Sequence, residues 1–409
     1  MVRFFRALTV LAAFSLPPAA AQDEAAKAQT VRPEVGKPLQ GAIDLLKSKK
    51  AKEALAMARE AQAVPNKTPY ESYMVTRVIA QAAAGAGEPG LAAKAFDEIA
   101  GSASAADAER RQYAAAAAGQ YYIAKDYAKA AELAARYAKL GGTDKSVHTI
   151  YVQALYLGNN FAAAAKAVSA DVEAEEDAGK APAEEQLQLL ANASLQQRDT
   201  AGYAKALEKL LTYYPKRDYW LNLVYGIATR PGFSERLALD VARLKIETGT
   251  MRTGNEYLEA AQLSLIDGFP AEAARIIDKG YAAGLLGSGP EAARHKRLRD
   301  MAARSLAEDK KTLVADADAA SAKDAKAVFN EGFNLVLHGK SEQGLEMMEN
   351  ALRQGIAGRR PDHARLQLAY AYHLAGQNQK AVQIFRTVQG TDGSGALARA
   401  WAIRLARAS

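Results

Sequence analysis

Five histidines are the side chains of this sequence best suited to acid–base or metal chemistry, but their spacing supports neither. They stand at positions 148, 295, 338, 363 and 373. A zinc peptidase would need His-Glu-x-x-His, because two histidines one helical turn apart must face the same metal, and no such pair occurs. The sequence also contains no cysteine, no Gly-x-Ser-x-Gly elbow and no Gly-x-x-x-x-Gly-Lys-Ser/Thr loop to hold phosphate. We therefore expect no catalytic residue, no metal and no cofactor, and predict that the protein is not an enzyme.

Side chains near the C-terminus offer non-covalent recognition instead. Aromatic, amide and imidazole groups fall on one helical stripe in two successive segments: Asn330, Phe333, His363, Gln367, Tyr370 and His373. Groups of these kinds together can hold a peptide segment of a partner. Packing between helices is the alternative for the two aromatic residues, and a surface imidazole without a role is the alternative for the two histidines. The six residues are candidates for a binding groove.

The elements that must position these side chains recur along the chain. A small residue, followed by residues four and seven positions later that are mostly apolar, defines one face of a helix. Nine such triplets begin at residues 54, 92, 130, 164, 206, 238, 273, 344 and 381. Their spacing scatters around the 34-residue period of tetratricopeptide repeats (TPR), which the pattern resembles. The predicted fold is all-α, a right-handed superhelical solenoid of TPR-like antiparallel helix pairs.

Turn residues support this interpretation over a coiled coil or an ordinary helical bundle. Short segments with glycine, asparagine or aspartate fall where the first helix of a pair, helix A, should meet the second, helix B. They are Lys125–Tyr127, Gly158–Phe161, Arg198–Tyr203, Asp267–Pro270, His338–Lys340 and Gly376–Asn378. A coiled coil would keep a seven-residue register without such breaks. We place the solenoid at residues 39–389, with a degenerate repeat at about 290–320 and a C-terminal capping helix in 390–409.

The N-terminus has the pattern of a Sec-type signal peptide. Arg3 and Arg6 precede a short apolar core, and Ala19-Ala-Ala21 is a small-residue cleavage site. Residues 1–21 are the predicted signal peptide, cleaved after Ala21, and residues 22–38 are a predicted flexible lead-in. An uncleaved N-terminal helix is the alternative. Because the sequence has no cysteine, it has no lipobox and no disulfide, which favours a bacterial periplasm.

Charge and hydropathy exclude two further classes of protein. The formal net charge of +7 is modest for 409 residues, so nucleic acid binding is not expected. The densest basic run, residues 294–299, has acidic neighbours and is interpreted as a solvated helix face. No apolar stretch approaches the roughly 20 residues that a membrane-spanning helix needs.

Three stretches resemble bacterial periplasmic TPR proteins described as putative components of the TonB system. They are Tyr214–Trp220 running on to Arg230–Asp240, Asn330–Gly339, and Gln389–Gly395 with Leu397–Trp401. The resemblance implies a scaffold or adaptor accessory to TonB, ExbB and ExbD, binding other envelope proteins or a disordered protein segment. It assigns no residue a role. An assembly or chaperone factor for outer-membrane proteins or exported polysaccharide is the alternative, and a disguised hydrolase is a third.

Overall fold

The computed structural model describes residues 30–103, 105–320, 324–355 and 361–406, and within these ranges every regular element is helical. The chain divides into two units between Ala174 and Glu175, here called the N-terminal and the C-terminal unit. None of the helices in these ranges combines the length and hydropathy that crossing a bilayer requires.

The N-terminal unit is built from four sequential helix pairs. Its helices are α1 (Pro33–Lys47), α2 (Ala51–Ala63), α3 (Pro69–Ala86), α4 (Pro89–Gly101), α5 (Asp107–Ile123), α6 (Tyr127–Lys139), α7 (Lys145–Leu157) and α8 (Phe161–Asp177), the last of which continues past the boundary. Each helix from α1 to α6 packs against the next along the chain, and helices A of neighbouring pairs also contact each other, α1 with α3 and α5 with α7.

The C-terminal unit continues the same plan with two additions. Its helices are α9 (Glu184–Gln196), α10 (Thr200–Tyr213), α11 (Arg217–Ala228), α12 (Ala238–Glu247), α13 (Gly254–Ile266), α14 (Pro270–Ala282), α15 (Ala292–Ala320), α16 (Ala325–Leu337), α17 (Ser341–Arg353), α18 (Pro361–Leu374), α19 (Asn378–Phe385) and α20 (Ser394–Ala406). Five pairs are present in it, while α15 and α20 stand outside the pairing. The predicted all-α fold of TPR-like helix pairs is confirmed; the handedness of a superhelix stays a prediction.

The turn between helix A and helix B has one conformation in eight of these pairs. A residue with positive φ stands two positions before helix B begins in each: Lys49, Gly87, Lys125, Asn159, Arg198, Gly268, Gly339 and Gly376. The left-handed conformation turns the chain back while the last carbonyls of helix A accept hydrogen bonds from the turn. In the last pair, for example, the N–H of Gln377 donates to the carbonyl of Tyr372 at 2.9 Å. All six turns predicted from the sequence are therefore confirmed.

Small residues on helix B allow the two helices of a pair to approach closely. The triplets beginning at 54, 92, 273, 344 and 381 are buried at all three positions. In the pair α16–α17 the approach is backbone to backbone, since a Cβ added to Gly344 would lie 2.4 Å from the carbonyl oxygen of Gly332. The triplet at 238 is misplaced by one residue. Ala238 and Lys245 are half-buried, whereas Leu237, directly before α12, and Leu244 within it are both fully buried.

The start of the first helix differs from the prediction. The helix α1 begins at Pro33, inside the stretch expected to be flexible, because Glu71 anchors the residue before it. The backbone N–H and the guanidinium of Arg32 donate to the Glu71 carboxylate at 2.9 Å, and the N–H of Thr68 donates at 2.8 Å. These hydrogen bonds, those from the Arg32 side chain first, lower the pKa of Glu71 to about 2. The predicted signal peptide, residues 1–21, lies outside the described residues.

The predicted degenerate repeat at 290–320 is one helix of 29 residues, α15, rather than a pair. Asp309 ties it to α16: the side-chain amide of Asn334 donates to one carboxylate oxygen at 2.9 Å, and Nε2 of His338 lies 2.5 Å from the other. The C-terminal helix α20 occurs where it was predicted, but it is buried on most of its surface, with Leu397, Trp401 and Leu405 at 2% exposure or less. It packs on α18 and α19 and also contacts α10, α11 and α12.

Candidate functional site

Two of the six predicted groove residues pack around a buried arginine. Phe333 on α16 is 1% exposed, and its ring centroid lies 6.2 Å from that of Tyr370 on α18. The guanidinium carbon of Arg243, from α12, lies 5.2 Å from the Phe333 centroid and 4.9 Å from the Tyr370 centroid. Phe269 closes the other side of Phe333 with an edge contact at 4.9 Å. Packing between helices therefore accounts for both rings in this conformation.

Arg243 is the centre of a buried ionic network that the sequence analysis did not find. It donates two hydrogen bonds to Glu272 on α14, at 2.8 and 2.7 Å, and one to Asp240 at 2.8 Å. All three side chains are 3% exposed. Burial alone would raise the pKa of Asp240. The hydrogen bond with His363 and the positive charge of Arg243 outweigh the effect of burial, so the pKa of Asp240 lies below its usual range. Each buried carboxylate is therefore bonded to the arginine that lies between them, as buried charges require.

The two predicted histidines of α18 reach acidic residues of α12. Nε2 of His363 lies 3.1 Å from Asp240, although the two residues are 123 positions apart in the sequence. His373 has an acceptor at each ring nitrogen, Asn378 at 2.8 Å and Glu247 at 3.7 Å. Burial alone lowers the pKa of His373, but these two contacts more than offset it and the pKa is raised. Neither histidine is a surface imidazole without a partner.

Further ion pairs close the C-terminal unit on itself. Arg236 pairs with Asp392 in the turn before α20, and Arg404 at the end of α20 pairs with Glu247 at 2.9 Å. A third ion pair joins Arg399 of α20 and Glu208 of α10 at 3.0 Å. The helix A face of the last pairs is therefore occupied by the unit's own side chains.

The remaining two predicted residues take no part in this network. Asn330 and Gln367 are half-buried, and neither side chain forms a hydrogen bond within the described ranges. Whether any of the six residues contacts a partner stays a prediction. The pattern that could have revealed the network is the placement of Asp240 and Arg243, two charges three residues apart, in the otherwise apolar segment 237–244.

An open helix A face is found in the N-terminal unit. Ile123 and Leu157, the last residues of α5 and α7, are 57% and 40% exposed. They are 34 residues apart and occupy the same position in consecutive pairs, each two residues before the left-handed turn residue. The preceding residues, Tyr122 and Tyr156, also correspond. We call these four residues the N-terminal apolar stripe.

Aromatic contacts and one hydrogen bond fix the stripe in place. The Tyr122 ring meets Tyr127 edge-on at 5.7 Å, and the Tyr156 ring meets Phe161 in the same way at 5.4 Å. The Tyr122 hydroxyl donates to the side-chain carbonyl of Gln153 on α7 at 2.9 Å. This bond leaves the amide N–H groups of Gln153 without an acceptor among the described residues. The stripe therefore combines exposed apolar groups with a positioned hydrogen-bond donor.

No group of three or more histidine or acidic side chains within the described ranges is placed to hold a metal ion.

Comparisons with known proteins show a similarity to solved structures of helical-repeat proteins and nothing more specific. No family model matches the chain and no curated protein matches it. Among solved structures, a chain of the Naa15/Naa10 complex bound to HypK-THB is 14% identical, with a TM-score of 0.29, covering 88% of this chain and 59% of that one. The TPR domain of P58(IPK) is 13% identical, with a TM-score of 0.22, covering 91% and 97% of the two chains. Yeast Tom70 is 12% identical, with a TM-score of 0.25, covering 91% and 96%.

Proposed function

We propose that this protein is a non-enzymatic scaffold that binds a segment of a partner protein at the N-terminal apolar stripe. The observation that carries the proposal is the exposure of Ile123 and Leu157 at equivalent positions of consecutive pairs. Large apolar side chains are more often covered than exposed, and an exposed set that repeats along neighbouring elements is typical of an interaction surface.

The spacing of the stripe favours an extended, proline-rich segment. Helices in contact lie about 8–10 Å apart, so the ends of α5 and α7 present their apolar groups at about that separation. A polyproline II segment places residues i and i+3 on one side at about 9 Å, since it rises about 3.1 Å per residue. Its backbone carbonyls have no internal partners, and the amide of Gln153 is available to donate to one of them.

The cellular location and the partner proteins in this proposal are inferred from the sequence. The N-terminal signal pattern supports export to a bacterial periplasm, and the resemblance described above supports a role as an accessory of TonB, ExbB and ExbD. A periplasmic accessory of that machinery would gather envelope proteins or hold a disordered segment of one of them. N-terminal sequencing of the periplasmic fraction should begin at Gln22; a cytoplasmic protein that retains Met1 would contradict the location.

Photo-crosslinking in cells tests the surface and the partner together. A photoreactive residue at Ile123 or Leu157 should capture TonB, ExbB or ExbD. The same residue at Ile266, which is 79% exposed on the C-terminal unit, is the matched control and should not. Capture of outer-membrane proteins or cell-wall synthases alone would refute the TonB role and favour an assembly factor.

A binding measurement tests the N-terminal apolar stripe independently of which partner protein binds there. The double variant Ile123→Asp and Leu157→Asp should weaken binding of a proline-rich peptide at least about tenfold, because each anchor contributes on the order of 1 kcal/mol or more. Unchanged binding would show that the stripe is not the site.

A further inference from the structure

A second surface, on α15 of the C-terminal unit, carries more positive charge than the described residues around it neutralise; its one nearby carboxylate, Asp300, interacts with Lys296, Arg304 and Arg299 together. One edge of α15 is buried, with Leu298 at 6% and Ala302 at 1% exposure in a core cluster shared with α13 and α14. Exposed side chains at intervals of three and four residues form a stripe along a neighbouring edge: Arg294, Arg297, Met301 and Arg304. We call this set the α15 basic stripe. Its spacing places all four residues on one side of the helix.

Two arginines of the stripe form no ion pair or hydrogen bond with the described residues. Arg294 has only an exposed contact with Glu291 at 3.4 Å, whereas Arg297 and Arg304 have none. Between positions 294 and 304 the sequence has five arginine and lysine residues and a single carboxylate, Asp300. That carboxylate is bonded to Lys296 at 2.7 Å. The stripe therefore has an excess of positive charge in this region.

Met301 makes the surface different from a solvated charged face. Its side chain is 43% exposed, one of a small number of large apolar residues that the described ranges leave open. Arginine and methionine are both enriched at protein interfaces, and arginine pairs with carboxylates through two parallel hydrogen bonds. The next residue along the stripe, Glu308, bonds Lys311 at 2.7 Å and marks where the excess of positive charge ends.

We propose that the α15 basic stripe binds an acidic segment of a partner protein, with Arg297 and Arg304 pairing with carboxylates and Met301 covering an apolar side chain between them. Seven residues of helix separate the two arginines by about 10 Å. Two glutamates three positions apart in a chain of polyproline II conformation lie on one side at about 9 Å from each other. An anionic membrane is a poorer occupant, because the apolar edge of α15 is packed inside the unit and cannot insert into lipid.

Fluorescence anisotropy with the full chain tests this proposal. The probe is a labelled Glu-Glu-Glu-Leu-Glu-Glu-Glu peptide, and the same peptide with glutamine in place of glutamate is the neutral control. The variant Arg297→Glu with Arg304→Glu should weaken binding about tenfold, and Met301→Gln by a smaller factor. Lys52→Glu with Lys94→Glu makes the same change of net charge at exposed positions of α2 and α4 and should alter binding less than about twofold.

Raising the salt concentration from about 20 mM to about 300 mM should weaken binding to the wild type and leave the weak binding of the arginine variant nearly unchanged. Equal loss in the lysine variant, or no binding of the acidic peptide, would overturn the proposal. So would binding of phosphatidylglycerol vesicles without binding of the peptide. Because the stripe and the N-terminal apolar stripe share no residue, failure of this experiment leaves the proposed function to its own test.

Discussion

Substitution of Arg243 by methionine should destabilise the C-terminal unit by about 3–5 kcal/mol, because it removes the cation that bridges two buried carboxylates. Glu272 would lose both of its arginine hydrogen bonds, and Asp240 would keep only His363. Methionine fills much of the arginine volume, so the loss is chiefly electrostatic rather than a cavity. The contacts of the guanidinium with Phe333 and Tyr370 add a smaller share.

The destabilisation should shrink in acid, and the sign follows from the carboxylates. In the wild type the pKa of Asp240 is lowered by folding. The stabilising contribution of Asp240 is therefore complete above the ordinary aspartate pKa and is lost as pH falls through the pKa of the folded state. In the variant the carboxylates have no cation, and burial favours their neutral forms. The variant therefore regains stability relative to wild type as pH falls below about 5.

Tryptophan fluorescence during denaturant unfolding measures the C-terminal unit alone. The sequence has two tryptophans, Trp220 and Trp401, and both lie in that unit with exposures of 6% and 2%. Arg399→Met is the matched control, since Arg399 also pairs with a glutamate but is more than half exposed. It should cost less than about 1 kcal/mol.

Two results would refute this reasoning. The first is an unfolding midpoint of Arg243→Met equal to that of the wild type. The second concerns the variant in which Asp240 becomes leucine while Arg243 and Glu272 become methionine. If unpaired charge is the cause of the loss, that variant should recover at least about half of it. A triple variant as unstable as the single one would mean that packing around the guanidinium, and not charge pairing, sets the stability.

Three further predictions follow from single contacts. Glu71→Gln should lower the unfolding midpoint at pH 6 and progressively less as pH falls from the ordinary glutamate pKa towards about 2, measured by circular dichroism against the wild type. A difference that stays constant over that range would contradict the assigned role of the carboxylate. His373→Gln should cost more stability at pH 6 than at pH 9. A raised pKa contributes stability only until pH passes the pKa of the folded state, where the imidazole loses its charge and the ion pair with Glu247 is lost. Tryptophan fluorescence at the two pH values checks this, and an equal loss at both would exclude a charged imidazole. Gly344→Ala should destabilise by about 1–3 kcal/mol, because the added Cβ meets the backbone of Gly332; a neutral effect in denaturant unfolding would show that α16 and α17 can separate freely.

The helix pairs were predictable because their signals are local. The turn residue with positive φ and the small residue of helix B are each set within a few positions of the chain, so spacing alone locates them. The triplet at Ala238 shows the limit of that approach. The segment around it contains Asp240 and Arg243, which count as surface residues by residue type but are buried through ion pairs with α14 and α18.

The long helix α15 was missed for a different reason. The triplets that begin at 273 and 344 are about two repeat periods apart, which predicts a further helix pair between them. The sequence from 292 to 320, however, has no glycine or proline to form the turn that a pair needs. The residues that fix it are Asn334 and His338, which contact Asp309 of α15 from more than 20 residues away. Contacts at that separation have no local pattern.

A close match to the repeat pattern does not mark an open surface in this chain. The best matches to the repeat lie between residues 330 and 388, and there Phe333 and Tyr370 are used for packing around Arg243. Positions that define a repeat are those that pack, so a close match marks well-packed helices rather than a free groove. Ile123 and Leu157 fall outside the defining triplets, and they are exposed at equivalent places in consecutive pairs. Binding positions in such a fold should therefore be sought among exposed residues that repeat with the period but do not belong to the packing pattern.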